Sequence, residues 1–414
     1  MNQAILVGAD YKSNGLIDYY MEELENLAKA KNIEVLYVIT QAISSISANL
    51  YIGSGKVKEI KTFVDNSEAN LVIFNNELSG SQIRNLEKEL DVRVIDRTLL
   101  ILDIFASRAK TKEAMLQVEI AQLEYMLPRL SGLSASLGRQ QGGIGSRGPG
   151  EKKLELDKRR IEAERIKLKK ELGEIVKARK IQRKNRTKSQ IKKVAIVGYT
   201  NAGKSTLLNA LMDYTKRENN KQVYVKDMLF ATLETSTRHI VLNNNKEFIV
   251  TDTVGFVSNL PHNLVESFKS TLEEITEADF LVHVVDTSNP FYENQIDVTN
   301  KTLEEIGVHN IPIIYIYNKF DLVDKIINPL HFPSVIVSLL DPFGIKKVLD
   351  IIESEIFKEY KLRKLLIPFN KGEILSHLNE HNHISKQLYT NEGTVISVEL
   401  SPVEVIKYKE YLIA

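Results

Sequence analysis

The chain contains no cysteine among its 414 residues, which excludes disulfides and thiolate metal sites. It also lacks any uninterrupted apolar stretch of about 18 residues, the length that a transmembrane helix requires. The N-terminal sequence MNQAILVGAD has neither the basic nor the apolar region of a secretory signal. These absences predict a cytoplasmic protein without a membrane span.

A strong overall charge is missing as well, because 55 Lys/Arg nearly balance 54 Asp/Glu and leave a formal net charge of +1. The balance fails locally, since residues 151–193 hold 18 Lys/Arg against 7 Asp/Glu. Such a basic segment is typical of an arm that meets a polyanion. The hydrophobic content of 43% supports ordinary globular cores, and the length predicts about two to four domains.

One stretch fits the phosphate-binding pattern G-x-x-x-x-G-K-[ST], with an apolar strand before it and helical apolar spacing after it. Its glycines let backbone N–H groups point at phosphate oxygens at a helix N-terminus. Lys204 is predicted to reach the β- and γ-phosphates, and the Ser205 hydroxyl to ligate Mg²⁺. The predicted phosphate-binding residues are Gly198, Tyr199, Thr200, Asn201, Ala202, Gly203, Lys204, Ser205 and Thr206, with Gly255 from farther along the chain.

A second motif follows a predicted strand at 248–251. Asp252 ends that strand three residues before Gly255, which is the Walker-B arrangement. Asp252 is predicted to hold Mg²⁺, mostly through water, and the Gly255 N–H to sense the γ-phosphate.

A third motif, N-K-x-D, selects the base. The Asp321 carboxylate can accept two hydrogen bonds from the N1–H and the exocyclic amine of guanine, whereas adenine offers no such donor pair. The Lys319 stem is predicted to pack on the base. A later strand ends in Ser-Leu-Leu, where GTPases usually carry Ser-Ala-x against the guanine O6. The predicted guanine-binding residues are Asn318, Lys319, Asp321, Ser338, Leu339 and Leu340.

The segment 230–238 is the candidate switch, in which Thr232 is the first choice and Thr235 the second for closing over Mg²⁺ and the γ-phosphate. Ras-like GTPases place a water-orienting Gln at the position of Phe256. A phenyl ring cannot orient water, so slow unaided hydrolysis is predicted, completed by a partner. The predicted switch residues are Phe230, Ala231, Thr232, Leu233, Thr235, Asp252, Thr253, Val254, Gly255 and Phe256.

Asn201 allows two interpretations. In GTPases with the form G-x-x-N-x-G-K-S, a loop Asn can ligate K⁺, which supplies charge where an arginine finger otherwise would. An Asn that only stabilises the loop is the alternative.

Strands that alternate with helices predict an α/β multidomain protein. Residues 1–105 are predicted to form an N-terminal α/β domain with a mostly parallel sheet, and residues 361–414 a small C-terminal α+β domain. Between them, a long helical hairpin is predicted over 106–190, and a P-loop GTPase domain with a doubly wound sheet over 191–360. Strands are predicted at 4–8, 35–39, 71–74, 92–95, 194–198, 248–251, 280–286, 313–317, 335–338, 365–368, 387–390 and 394–400. Helices are predicted at 17–30, 57–65, 81–90, 106–128, 151–186, 372–380 and 403–412.

The hairpin and its tip loop, 131–150, each allow two interpretations. Intrahelical ion pairs on a solvated surface explain the Glu-rich half of the second helix. Residues 177–193, however, hold nine basic residues and no acidic one, which favours nucleic-acid contact. The tip has seven glycines and no acidic residue. It is either a disordered linker or a polar, cationic loop that threads between RNA phosphates.

A second Gly-rich turn, Gly53-Ser54-Gly55-Lys56, precedes a predicted helix. Its glycines and lysine can hold an anion at the helix start, so a second nucleotide or an RNA phosphate is one interpretation. A structural turn is the other.

Taken together, these stretches resemble the HflX family of ribosome-associated, translation-factor-related GTPases. The resemblance covers nearly the whole chain and rests on GYTNAGKST, LFATLETSTR, DTVGF and NKFD, and upstream on YIGSGKVKEI and GGIGSRGPGEKKLELDKRR. The family usually carries Asp-Pro-Thr where this chain has Glu234-Thr235-Ser236. The resemblance implies the four domains given above. It also implies a factor that binds the large ribosomal subunit, with its Gly-rich loop facing the peptidyl-transferase region, and separates stalled or idle ribosomes into subunits.

Three functions follow as hypotheses: ribosome splitting in the GTP state, assembly or RNA remodelling regulated by GTP, and a nucleotide-gated protein scaffold. The expected partners are GTP, GDP and the ribosome, chiefly the large subunit and its RNA, and the expected ions are Mg²⁺ and, as one alternative, K⁺. A monomer that associates with ribosomes in the cytoplasm is expected. The expected ribosomal RNA contacts are Arg139, Gln140, Gln141, Gly142, Gly143, Arg147, Lys152, Lys153, Arg159 and Arg160.

Overall fold

The computed structural model describes residues 2–11, 15–137, 149–186, 191–214, 236–242, 244–258, 269–324 and 326–413. The chain divides into two compact units. The first holds the described residues up to 186 together with the segments 254–258 and 269–272. The second holds the P-loop sheet and the C-terminal part of the chain.

The first unit contains a four-stranded parallel sheet in the order β2-β1-β3-β4. Each strand is followed by a helix, and such helical crossovers let neighbouring strands of the sheet run parallel. Strand β3 is buried along its whole length, as expected for a parallel strand covered on both faces. The strands are β1 (Gln3–Tyr11), β2 (Glu34–Ile43), β3 (Leu71–Phe74) and β4 (Arg93–Asp96). The helices are α1 (Ile17–Ala30), α2 (Ser54–Asp65), α3 (Gly80–Leu90) and α4 (Arg97–Arg108).

The Gly-rich turn at the start of α2 makes ordinary structural contacts. The Gly53 N–H donates to Gln41 Oε1 at 3.2 Å, and Lys56 forms an ion pair with Glu59 at 2.8 Å. These contacts favour the structural turn over an anion site.

Two long helices follow, α5 (Lys112–Leu137) and α6 (Pro149–Arg186). They pack through Leu116 and Ile120 of α5 against Leu168 of α6. Lys112 of α5 pairs with Glu171 of α6, and Glu124, later in α5, pairs at 2.6 Å with Lys169, which comes earlier in α6. The helices are therefore antiparallel, and the predicted helical hairpin is confirmed.

The predicted end of the first long helix near Pro128 was wrong. Helix α5 continues to Leu137 with Pro128 inside it, and α4 is a separate helix before it. Pro128 lies on the exposed side, where the carbonyl that loses its backbone donor can turn to water. On either side of the proline, Tyr125 and Arg129 bind the buried carboxylate of Asp96. These tertiary contacts hold the helix through a residue that would end it in isolation.

The second unit begins with a six-stranded sheet in the order β10-β9-β8-β5-β7-β6. All neighbours are parallel except β6 and β7, and β6 is an edge strand that the sequence did not predict. The strands are β5 (Lys192–Val197), β6 (Ser236–Val241), β7 (Glu247–Asp252), β8 (Phe280–Asp286), β9 (Ile313–Asn318) and β10 (Ser334–Ile336). The helices are α7 (Lys204–Tyr214), α8 (Lys269–Thr276), α9 (Tyr292–Glu305) and α10 (Pro342–Ile356).

The chain ends in a four-stranded antiparallel sheet in the order β12-β13-β11-β14, with one buried face. The β-α-β-β-α-β succession and this order are those of a split βαβ fold. Its elements are β11 (Lys361–Ile367), α11 (Gly372–His381), β12 (Ile384–Tyr389), β13 (Thr394–Leu400), α12 (Pro402–Lys407) and β14 (Leu412–Ile413). The single closing helix predicted over 403–412 was wrong. Tyr408 is buried and Leu412 pairs with Leu365, so the chain leaves the helix to add an edge strand.

Candidate nucleotide-binding site

The phosphate-binding loop joins β5 to α7, as predicted. Gly198 has φ 143°, and a Cβ at this position would overlap the backbone carbonyl oxygen of Val284 on β8. Gly203 has φ 105°, and a Cβ there would overlap the Asn318 side chain. Asn201 adopts the left-handed region at φ 63°, which Asn tolerates better than most residues. The loop therefore curls tightly because neighbouring strands approach it closely.

Lys204 begins α7 with its side chain turned into the loop. Its ammonium donates to the carbonyl oxygens of Gly198 at 3.0 Å and Tyr199 at 2.6 Å. Only 6% of the residue is exposed. Burial lowers the pKa of Lys204 to about 8, although the nearby charge of Asp252 opposes this shift. The loop thus holds a concentrated positive charge at the place where phosphates are expected.

The two predicted Mg²⁺ ligands that lie in the described ranges are brought together. The Ser205 hydroxyl donates to Asp252 Oδ2 at 2.6 Å. The register of β5 against β7 pairs Ile196 with Asp252 and so fixes this approach, and the hydroxyl of Thr253 donates to the Ile196 carbonyl at 2.7 Å. A hydroxyl and a carboxylate are the hard oxygen donors that Mg²⁺ prefers, completed by phosphate oxygens and water.

No cluster of three or more His, Cys, Asp or Glu suited to a metal ion occurs in the part of the chain that the structure describes. A site built from one carboxylate, one hydroxyl and nucleotide phosphates needs no such cluster.

Asn318 is the centre of the guanine end of the site. Its side-chain N–H donates to the Ala202 carbonyl of the phosphate loop at 2.9 Å. Its side-chain oxygen accepts from the Leu339 N–H at 3.0 Å. The Thr287 hydroxyl donates to the Asn318 carbonyl at 2.6 Å. One buried residue, through its side-chain amide and its backbone carbonyl, therefore connects segments that are distant in sequence.

The remaining base-recognition residues surround this amide. Lys319 has φ 64°, and its ammonium pairs with Asp286 at 2.6 Å. Asp321 is exposed and lies in a short 3₁₀ helix, Phe320–Leu322. Leu339 is 4% exposed and belongs to the sheet core, so the departure from the usual Ala is absorbed by packing. Ser338 is half-buried, and Leu340 is 81% exposed.

Asp286 and Thr287 were missed from the sequence. Both follow directly from β8, whose carboxyl end lies beside that of β9 in the parallel register Asp286↔Asn318. A polar pair at the end of a buried parallel strand was the available signal.

Of the predicted switch residues, Phe230, Ala231, Thr232, Leu233 and Thr235 lie outside the described residues. Residues 236–238 form the start of β6. Thr253, Val254 and Phe256 are buried, and Gly255 lies between them in the chain. The phenyl ring of Phe256 therefore points into the protein.

The expected RNA contacts Arg139, Gln140, Gln141, Gly142, Gly143 and Arg147 also lie outside the described residues. Lys152 and Lys153 belong to α6, and their side chains are not described. Arg159 and Arg160 are exposed on α6, and Arg159 pairs with Glu155 one turn away at 2.7 Å.

The last two lysines of the basic segment 151–193 form ion pairs within the second unit. Lys192 pairs with Asp279 and Lys193 with Glu277, each at 3.8 Å. These two lysines belong to the start of the P-loop sheet.

The whole chain has recognised relatives. Residues 18–106, 108–186 and 193–319 match the families described as GTP-binding GTPase N-terminal, GTP-binding GTPase Middle Region and 50S ribosome-binding GTPase. The chain is 46% identical over 381 residues to the GTPase HflX of Caldanaerobacter subterraneus subsp. tengcongensis, covering 92% of this chain and 87% of that protein. The chain belongs to the HflX family of GTPases. It is therefore a GTP-binding enzyme that hydrolyses GTP, as its motifs predicted.

A second HflX relative, from Alkalihalophilus pseudofirmus, is 42% identical over 407 residues, covering 96% of this chain and 93% of that protein. Among solved structures, a GTP-binding protein from Sulfolobus solfataricus in complex with GDP is 26% identical, with a TM-score of 0.44. That match covers 86% of this chain and 98% of the other. None of the helices in the described ranges has the length and hydropathy needed to cross a membrane.

Proposed function

We propose that this HflX-family GTPase docks on the large ribosomal subunit in its GTP state and separates stalled or idle ribosomes into subunits. Contact with the ribosome stimulates hydrolysis, and hydrolysis releases the factor. In this proposal the chain acts through four parts: 1–105, the hairpin 106–190, the GTPase domain 191–360 and the C-terminal domain 361–414.

The observation that carries the proposal is the assembled nucleotide site in a chain that matches a 50S ribosome-binding GTPase family. Asn318 joins the phosphate loop to the base-recognition loop, so we expect binding of the guanine and binding of the phosphates to be coupled. The ring of Phe256 is buried and offers no polar group for water. A hydrolysis rate that stays low until a partner binds is the behaviour expected of a GTPase that its partner activates.

In this proposal Ser205 and Asp252 would hold Mg²⁺, and Thr232, a residue assigned from the sequence alone, would add a ligand when GTP is bound. When bound, Mg²⁺ neutralises charge on the β- and γ-phosphates. Lys204 holds the same phosphates from the loop side.

The helical hairpin is the proposed RNA-binding arm. Arg160 and Lys177 are exposed along α6, and α6 spans about 57 Å at 1.5 Å per residue over its 38 residues. A basic helix of that length is suited to contact with the phosphate backbone of RNA. The proposed contacts at the tip, from Arg139 to Arg147, follow from the sequence alone.

Sedimentation of intact ribosomes through a sucrose gradient tests the function. The full chain is added with GTP, with a non-hydrolysable GTP analogue or with GDP. Binding to the large subunit and a shift of intact ribosomes towards subunits are expected with GTP and with the analogue, and neither with GDP. Lys204→Ala should remove both effects, whereas the exposed lysine variant Lys346→Ala should retain them.

The outcomes separate the alternatives. Co-sedimentation that is equal or absent in all nucleotide states contradicts the proposal. Binding to immature subunits or free RNA without a shift of intact ribosomes supports an assembly or RNA-remodelling factor instead. Retained partner binding after charge reversal at residues 177–193 supports a protein scaffold.

Asn201 is the proposed K⁺ ligand. Hydrolysis measured in K⁺ is expected to exceed hydrolysis in Na⁺, and Asn201→Ala should remove this difference while leaving GDP binding in place. Equal rates in the two salts would leave Asn201 as a residue that only stabilises the loop.

A further inference from the structure

The hairpin of β6 and β7 connects the metal site to a distant turn. Its antiparallel register pairs Ser236 with Asp252 at one end and Val241 with Glu247 at the other. Each strand has six residues, so the hairpin is about 20 Å long. Asp252 is the proposed Mg²⁺ ligand, and Ser236 belongs to the candidate switch segment 230–238.

Lys246 anchors the turn at the far end. Its ammonium contacts Glu353 of α10 at 3.1 Å and Glu399 of β13 at 2.7 Å. Its side chain is 13% exposed. Burial alone would lower the pKa of Lys246, but the hydrogen bonds and charges of Glu399 and Glu353 outweigh burial and raise it. The lysine is thus held as a cation between the GTPase sheet and the C-terminal sheet.

Two neighbouring residues add polar contacts to the same turn. Asn244 donates to Glu353 Oε1 at 2.6 Å. Asn245, at φ 60°, donates to the Asn379 carbonyl at 3.3 Å and to the Asn382 carbonyl at 3.5 Å. The turn therefore contacts α11 and the loop after it as well as β13.

We propose that Lys246 is a positioning residue for GTP hydrolysis, fastening the β6–β7 turn to Glu353 and Glu399 and so fixing Asp252 at the opposite end. The strands of the hairpin are joined by a continuous hydrogen-bonded ladder, so a displaced turn shifts Ser236 and strains the pairing with β5 that also holds Asp252. This gives the C-terminal domain a role: it is the support against which the metal-binding strand is held. The inference rests on the GTPase site and not on ribosome splitting.

The test compares four full-length variants. Lys246→Met removes the cation, Glu399→Gln weakens its partner from the C-terminal side, and Lys246→Arg keeps the charge. Lys301→Met, which changes an exposed lysine of α9, is the matched control. Steady-state and single-turnover GTP hydrolysis, Mg²⁺ dependence, GDP release and thermal unfolding are measured for each.

Lys246→Met is expected to lower kcat by about tenfold or more with a nearly unchanged KM, because small displacements far from the chemistry are costly. The Mg²⁺ concentration for half-maximal hydrolysis should rise. In the wild-type chain Mg²⁺ is expected to slow GDP release, and in Lys246→Met this slowing should be reduced. Glu399→Gln should shift the same readouts in the same direction, and Lys246→Arg should restore them.

Two results would overturn the inference. One is that Lys246→Met and Glu399→Gln match Lys301→Met in kcat, Mg²⁺ dependence and GDP release. The other is that activity falls only in proportion to the fraction of unfolded protein, with a normal Mg²⁺ dependence in the folded fraction. The second result would leave Lys246 with a purely structural role.

Discussion

The side chain of Asn318 donates to the backbone carbonyl of Ala202 at 2.9 Å, across 116 positions of sequence. The same side chain accepts from the Leu339 N–H at 3.0 Å. The first residue of the N-K-x-D motif therefore aligns the base-recognition loop with the phosphate loop. The N-K-x-D motif is usually explained by contact with the base, but its Asn318 side chain holds two loops of the site together.

Asn318→Ala should weaken GDP binding by about tenfold or more. The substitution leaves the Ala202 carbonyl and the Leu339 N–H buried without this partner, at a cost of about 1–3 kcal/mol for each group. Fluorescence titration with a labelled GDP measures the affinity, and thermal unfolding measures the loss of stability. GDP binding at wild-type affinity would show that the link does not align the site.

Asp321→Asn should change the preferred base. The amide offers only one acceptor to the two guanine donors, so GDP affinity should fall by about 100-fold or more. Xanthine presents one donor and one acceptor at the same edge, and XDP affinity should rise. Asp324→Asn, at an exposed carboxylate three residues later, is the control and should change neither affinity. An unchanged preference for guanine in Asp321→Asn would refute the assignment of the base.

The pH dependence of GDP binding should follow Lys204, whose pKa burial lowers to about 8. Phosphate oxygens favour the charged ammonium, so bound nucleotide raises this pKa and binding above pH 8 takes up a proton. GDP affinity should be nearly constant below the free-site pKa and fall as pH rises through it, by about fourfold between about pH 7 and about pH 8.5. Calorimetry in buffers of different ionisation enthalpy measures the proton uptake. A flat affinity over this range would contradict the lowered pKa.

The phosphate loop and strand β8 were predictable because their determinants are local. Gly198, Gly203 and Lys204 act through backbone geometry over a few residues, and a buried parallel strand is a continuous apolar run. Asp286, Thr287 and Lys246 were missed because each acts on a partner far away in sequence. The predicted helix end near Pro128 was wrong for a related reason. Helix propensity describes an isolated helix, whereas tertiary contacts hold α5 together through the proline.

Gly198→Ala should abolish a functional phosphate loop. A Cβ at this position meets the backbone carbonyl of Val284, which cannot move without disturbing β8, and the φ of 143° strains any L residue. The soluble yield and the GDP affinity should both fall. Gly307→Ala is the informative control because its φ of 86° is also positive but nothing lies near its Cβ. If the two variants behave alike, backbone strain and not the contact with Val284 is decisive.

Tyr125→Phe should destabilise the first unit by about 1.5–3 kcal/mol, the range for a hydrogen bond to a charged group. The Tyr125 hydroxyl donates at 2.8 Å to Asp96, a carboxylate with no exposed surface. Burial and the charge of Asp96 raise the pKa of Tyr125, so the phenol remains a donor. Urea denaturation measures the loss, with Tyr37→Phe at a more exposed ring as the control. The Leu99 N–H donates to Asp96 at 2.9 Å, so faster amide exchange at Leu99 would locate the loss of stability at this carboxylate. Equal stability of the two variants would show that Asp96 does not depend on the Tyr125 hydroxyl.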